Sequence, residues 1–241
     1  MAMIEEFEKS GNWLFKKRSY LPLVLYVFAT IVIYFDRVEY LEPFNVGFSI
    51  TCLIISLFGL FIRIITIGYT QKGTSGRNVE AQVADSLNTS GIYSIVRHPL
   101  YLGNFFMWMG IVVYVANIWL IVAVALLFWL YYERIMFAEE AFLRKKFGTK
   151  FTDWASRVPA FIPNFKGYEK AEAMFNTKDV IRREYYGLTA MAVSFAYINF
   201  IKNYFNKSVF SIEPLWLSFL VISIVAFIVL RFLKKATKVL K

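Results

Sequence analysis

Residues 100–132 run for 33 positions without one formally charged side chain. A membrane-crossing helix needs about 20 apolar residues, so the run is too long for one span and short for two. Asn117 stands near its midpoint. A tight helical hairpin, residues 100–115 and 118–132, satisfies both lengths. Shorter apolar runs at 21–35, 44–67, 187–201 and 213–233 bring the expected number of membrane helices to six. Composition agrees: 58% of the 241 residues are hydrophobic and 18% charged, against roughly 45–50% and 25% in soluble domains. The expected fold is an all-α integral membrane helical bundle forming one domain, 1–241. Its core covers about 44–165, and helices five and six occupy 187–233. Disorder and a disulfide scaffold are excluded, the latter because Cys52 is the only cysteine.

Charge placement orients these helices. With six spans, 24 of the 27 Lys and Arg residues fall on one side and three on the other. The positive-inside rule then puts both termini in the cytosol, with the basic face against anionic lipid. Basic residues that follow topology in this way do not form a nucleic-acid recognition module. Residues 1–10 carry Glu5, Glu6 and Glu8, and no small-residue cleavage site follows the first apolar run. That run is expected to stay as an anchor rather than be removed as a signal peptide.

Several site chemistries are absent. His98 is the only histidine, which excludes a bis-His haem, a His-rich zinc site and an HExxH protease; no metal is expected. Cys52 falls within a predicted span and reads as a small core residue. Gly73-Thr74-Ser75-Gly76 matches neither a dinucleotide fingerprint nor a P-loop, and is expected to be a turn or flexible lid.

The remaining polar chemistry lies in two clusters at predicted cytosolic helix ends. The first reads Tyr93-Ser94-Ile95-Val96-Arg97-His98-Pro99-Leu100-Tyr101-Leu102-Gly103. Pro99 suits the first position of a helix, whose free N–H groups favour an anion, and Gly103 and Gly110 share a face that a helix or a flat ligand could approach closely. Taken alone, Arg97 and the tyrosines equally suit interfacial anchoring. The second cluster follows from helix four, which has no Gly or Pro between Ile118 and Phe147 and is stopped by Gly148. Thirty residues make about 45 Å, so its last turns, with Glu133, Arg134, Glu139 and Glu140, are expected to extend into the cytosol.

Together the clusters resemble the isoprenylcysteine carboxyl methyltransferase and phospholipid methyltransferase superfamily. Arg97-His98-Pro99-Leu100-Tyr101-Leu102-Gly103 looks like its RHPxYxG motif, and Glu139-Glu140 is similar to its downstream EE pair. Phe147-Gly148, Phe151, Trp154 and Arg157-Val158-Pro159-Ala160-Phe161-Ile162-Pro163 resemble the stretch that follows. The likeness covers about residues 88–165. It implies a membrane methyltransferase using S-adenosylmethionine (SAM) on a lipid or lipidated substrate. The implied cofactor residues are Tyr93, Arg97, His98, Tyr101, Gly103, Glu139 and Glu140. Arg97 and the helix start would hold the donor's carboxylate; the two glutamates would take its ammonium or hydroxyls. Candidates nearest the chemistry are Arg134, Arg157 and Glu140.

Methyl transfer from a sulfonium is an in-line displacement, which needs positioning and a dry site more than acid–base groups. A single histidine is therefore no obstacle. The expected acceptor is an anionic oxygen, since the 147–163 stretch looks more like the carboxyl methyltransferase side, and Arg63, Arg134 and Arg157 offer cations to an acidic headgroup. Other readings are a phospholipid amine N-methyltransferase, or a non-catalytic transporter or scaffold. Arg63 is thin provision for an ion path.

Overall fold

A computed structural model describes residues 2–18, 20–36, 46–71 and 82–236; the Gly73-Thr74-Ser75-Gly76 turn lies outside them. Among the described residues the chain is all-helical. The elements are α1 (Met3–Lys17), α2 (Leu21–Asp36), α3 (Val46–Gly68), α4 (Pro99–Val115), α5 (Ile118–Phe147), α6 (Thr149–Ala155), α7 (Thr177–Lys207) and α8 (Pro214–Ala236). One isolated bridge pairs Gly91 with Glu169.

Among the described residues three helices are long and apolar enough to cross a membrane: α3, α5 and α8. Six spans were expected. The other three differ for two physical reasons. Apolar α2 and α4 have only 16 and 17 residues, short of a span of about 20. At 31 residues α7 is long enough, but it buries Asp179, Glu184, Asn199, Lys202 and Asn203 among its apolar side chains. The 30 residues of α5 match the expected helix at both ends. Asn117 caps it, its Oδ1 accepting from Leu120 N at 2.7 Å, as side chains of this type commonly do. At the far end Gly148, at φ +55° with open space around the position of a Cβ, stops the helix through its backbone alone.

The chain divides into two compact units. The first comprises Met1–Pro22, Ile65–Leu102 and Ala125–Asn176; the second comprises Leu23–Ile64, Gly103–Val124 and Thr177–Lys241.

In the first unit α1 packs on the C-terminal half of α5. Gly11 lies so close to the Arg134 carbonyl and Ala138 that any side chain would collide. Phe7 meets Phe137 edge-on, and Tyr131 donates to the Leu14 carbonyl at 3.2 Å. A small core of Phe151, Trp154 and Val158 lies beneath α6.

The second unit has the larger core, built on Tyr114, Phe195 and Trp216. A buried hydroxyl needs hydrogen-bond partners. Tyr114 Oη accepts from Asn199 Nδ2 at 2.9 Å and from Trp216 Nε1 at 2.7 Å, while Lys202 Nζ donates to the Tyr114 carbonyl. Asn199 Oδ1 also accepts from Glu213 N, just ahead of α8, at 2.8 Å. One polar knot therefore fixes the α7–α8 connection.

Candidate active site

The site is built on the chain's entry into α4. Gly91, at φ +62°, adopts a backbone that other residues avoid, and its N–H reaches the Glu169 carbonyl at 2.9 Å. A short 3-10 turn over Ile92–Ser94 follows. Pro99 then opens α4, and the His98 carbonyl accepts from Tyr101 N and Leu102 N at 3.1 and 3.2 Å, which makes His98 the capping residue.

Main-chain bonds fasten this entry to the segment after α6. Arg97 N donates to Pro159 O at 2.9 Å, His98 N to Ala160 O at 3.1 Å, and Asn164 N to Ile95 O at 2.9 Å. Arg97 Nη1 adds a bond to Ala155 O at 2.6 Å. Trp154 Nε1 donates to Tyr93 O at 3.1 Å, and Tyr93 packs against the Phe151–Trp154 core. The two stretches that carry the sequence resemblance are thus physically joined.

The side chains of the entry meet the glutamate pair of α5. His98 is buried, with Nε2 2.9 Å from Glu140 Oε1 and Nδ1 3.5 Å from Glu139 Oε2. Arg97 Nε lies 3.0 Å from the same Glu140 oxygen as an ion pair, but makes no hydrogen bond with the angles one requires. Tyr101 Oη donates to Glu139 Oε1 at 2.5 Å. Its ring stacks near His98, with centroids 5.8 Å apart, and packs against Tyr132, with centroids 4.7 Å apart. Burial alone would push the His98 pKa down, since a charged imidazolium loses water. The hydrogen bonds and negative charge of Glu139 and Glu140 outweigh burial and hold it above its ordinary value of 6.5.

Of the residues singled out from the sequence, Arg97, His98, Tyr101, Glu139 and Glu140 come together here. Tyr93 supports the segment's small core. Gly103 belongs to the second unit, where a Cβ would lie 2.6 Å from Arg63 Cγ and 2.8 Å from Gly59 O; its missing side chain admits the Arg63 stem. The three candidate headgroup cations have different surroundings. Arg63 is held by Glu184 and by Asn104, whose Oδ1 accepts from Nη1 at 2.7 Å. The Arg134 guanidinium lies 3.4 Å above the Phe7 ring. Arg157 and Arg97 line an open cleft of about 550 Å³ with Ser156, Pro159, Ile162 and Asn164. Among the described residues no three of His, Cys, Asp and Glu group as metal ligands would.

Two features escaped the sequence. Glu184 lies in the polar stretch before the fifth apolar run, where nothing marks it as the counter-charge of Arg63. The helix α1 was read only as not being a signal peptide. Its signal was present in Phe7, Gly11, Leu14 and Phe15, which recur at helical spacing.

Comparison with known proteins places this geometry in context. Residues 47–150 match the phospholipid methyltransferase family model. The chain is 32% identical over 121 residues to the protein-S-isoprenylcysteine O-methyltransferase of Mus musculus, covering 49% of this chain and 42% of that protein. It is 34% identical over 119 residues to protein-S-isoprenylcysteine O-methyltransferase B of Arabidopsis thaliana, covering 45% and 59%. It is also 32% identical over 124 residues to the cobalt-zinc-cadmium resistance protein CzcN of Cupriavidus metallidurans, covering 51% and 55%. In each case the chain spans less than two thirds of the relative's length. No solved structure matches it.

Proposed function

We propose that this chain, whose residues 47–150 match the phospholipid methyltransferase family model and which is similar to isoprenylcysteine O-methyltransferases, is an integral membrane enzyme of that superfamily that methylates a lipid or lipidated molecule. The donor is SAM and the acceptor an anionic oxygen, carboxylate or phosphate. The observation that carries the reading is the convergence of Arg97 and His98 on Glu140, which lies 42 positions beyond His98, in a largely buried cluster.

The cluster suits the donor's polar end. SAM supplies, when bound, a methyl group on a sulfonium cation. Arg97 and the positive end of the α4 dipole hold an α-carboxylate. Glu139 and Glu140 receive an ammonium or ribose hydroxyls, and His98 between them keeps the two carboxylates from repelling each other. Tyr101 offers an aromatic wall to a cation. The buried Arg97 Nε lies 3.0 Å from Glu140 Oε1 without good alignment, so charge rather than a directed bond holds the two side chains together.

The acceptor assignment is supported by the relatives named as O-methyltransferases and by Arg157 at the cleft beside Arg97. A carboxylate or phosphate is ionised at neutral pH and needs no base, whereas an ammonium headgroup must first lose a proton. The chain's part in the displacement is then to align the acceptor and exclude water. Positioning of this kind supplies roughly 7–11 kcal/mol. Membrane topology follows the charge pattern, with six spans, the α4–α5 connection as a tight hairpin and both termini in the cytosol.

Mass spectrometry of lipid extracts from cells with and without the protein tests the reading. The expected result is a product heavier by one methylene whose methyl is bound to oxygen. An N-methylated product overturns the oxygen assignment. No SAM binding by the purified protein removes the enzymatic reading altogether and favours a scaffold or transporter.

A further inference from the structure

The segment between α6 and α7 exposes large apolar side chains although its backbone is firmly held. Ile162, Phe165 and Tyr168 are 76%, 74% and 61% exposed. The same backbone is tied down at both ends. His98 N binds Ala160 O, and Asn176 N donates to Gly68 O at 2.8 Å. Between them Glu169 N donates to Ser94 Oγ at 2.9 Å and Glu172 N to Ser90 Oγ at 3.2 Å. The anchor points carry the information. Gly68 is the last residue of α3, which is apolar and long enough to span a membrane, and His98 directly precedes the apolar α4. The segment is therefore fastened at the level where apolar helices end.

That level is the bilayer interface, where aromatic side chains concentrate. Lys166 and Lys170 stand exposed among these apolar residues, as do Glu169 and Glu172, and the two ammonium groups complement lipid phosphate. Exposed apolar side chains grouped on a held backbone mark a docking surface, and the two helix ends identify what it docks against.

We propose that residues 161–170 seat in the headgroup layer of an anionic bilayer, with Ile162, Phe165 and Tyr168 entering its apolar boundary and Lys166 and Lys170 on lipid phosphates. The seat bears on the site because the carbonyls of Pro159 and Ala160 hold the N–H groups of Arg97 and His98. Lipid thus braces the segment that positions the Arg97–His98 cluster. The proposal rests on the membrane reading above and adds a specific contact to it.

Depth-dependent quenching in nanodiscs of phosphatidylcholine and phosphatidylglycerol tests it on the full chain. With Cys52→Ala as background, a fluorophore is attached through Phe165→Cys or, as a control midway along α8, Ile222→Cys. A shallow lipid-borne spin label should remove most of the fluorescence at 165 and aqueous iodide little; a deep spin label should quench 222. Iodide quenching at 165 with deep quenching at 222 overturns the proposal and leaves the membrane reading standing. Iodide quenching at both positions overturns both. Leaving out phosphatidylglycerol should weaken shallow quenching at 165, and Lys166→Glu with Lys170→Glu should abolish that difference. Equal quenching in both lipid mixtures overturns the anionic contact.

Discussion

Arg63 is clasped side-on by Glu184: Nε and Nη2 donate to the two carboxylate oxygens at 2.7 and 2.8 Å. Glu184 is buried, so neither charge is readily returned to water. Such a pair need not stabilise a fold more than apolar residues would, but removing one member strands the other. Glu184→Ala should lower unfolding free energy by about 3–5 kcal/mol, measured by denaturant titration in detergent. Arg63→Met with Glu184→Leu should recover most of the loss. Equal stability of Glu184→Ala and the parent chain would show that the pair is not formed.

Gly103 gives a second test in the same unit. Gly103→Leu should displace the Arg63 stem, lying 2.6 Å from the position of a Cβ, and cost at least the 1–3 kcal/mol typical of overpacking. The check is a melting curve beside that of Gly148→Ala. Open space surrounds Gly148, whose positive φ leaves only a backbone penalty of about 1–3 kcal/mol and no collision.

At the donor cluster, Arg97→Ala and Glu140→Gln should each weaken SAM binding by about 10- to 150-fold, equivalent to the 1.5–3 kcal/mol of a charged hydrogen bond. Calorimetry on the folded variants reads this directly. Unchanged affinity in both would reduce the cluster to an interfacial anchor.

His98 makes stability depend on pH. Its folded pKa is raised, so the charged form is favoured by folding. The stabilisation is fully present below about 6.5, its ordinary value, and is lost as pH rises through the folded value. The melting temperature should fall over that window in the parent chain and stay flatter in His98→Gln. Parallel profiles would show that the imidazolium is not stabilised by the glutamates.

The sequence carried the parts of the structure that have a period or a punctuation mark. The limits of α5 followed from an uninterrupted run between Asn117 and Gly148, because caps and stops are local events. The meeting of Arg97 and His98 with Glu139 and Glu140 followed from resemblance; neither charge nor spacing states which residues 40 positions apart will touch. The Arg63–Glu184 pair was hidden for the same reason. One partner was conspicuous inside an apolar run, and the other was an ordinary acid in a polar one. The α7 helix reaches further than its apolar run, 187–201, suggests: it covers Thr177–Lys207 and buries Asp179, Glu184, Asn199, Lys202 and Asn203, a pattern the run itself does not mark.

The bonds from Arg97, His98 and Asn164 to Pro159, Ala160 and Ile95 join main chain to main chain, so none depends on which side chains follow Ala160. Exchanging the residues at 161, 162, 165 and 168 therefore leaves the anchorage of the donor cluster intact. Substitutions there change the exposed surface of the segment while the main chain that fixes Arg97 and His98 stays fastened.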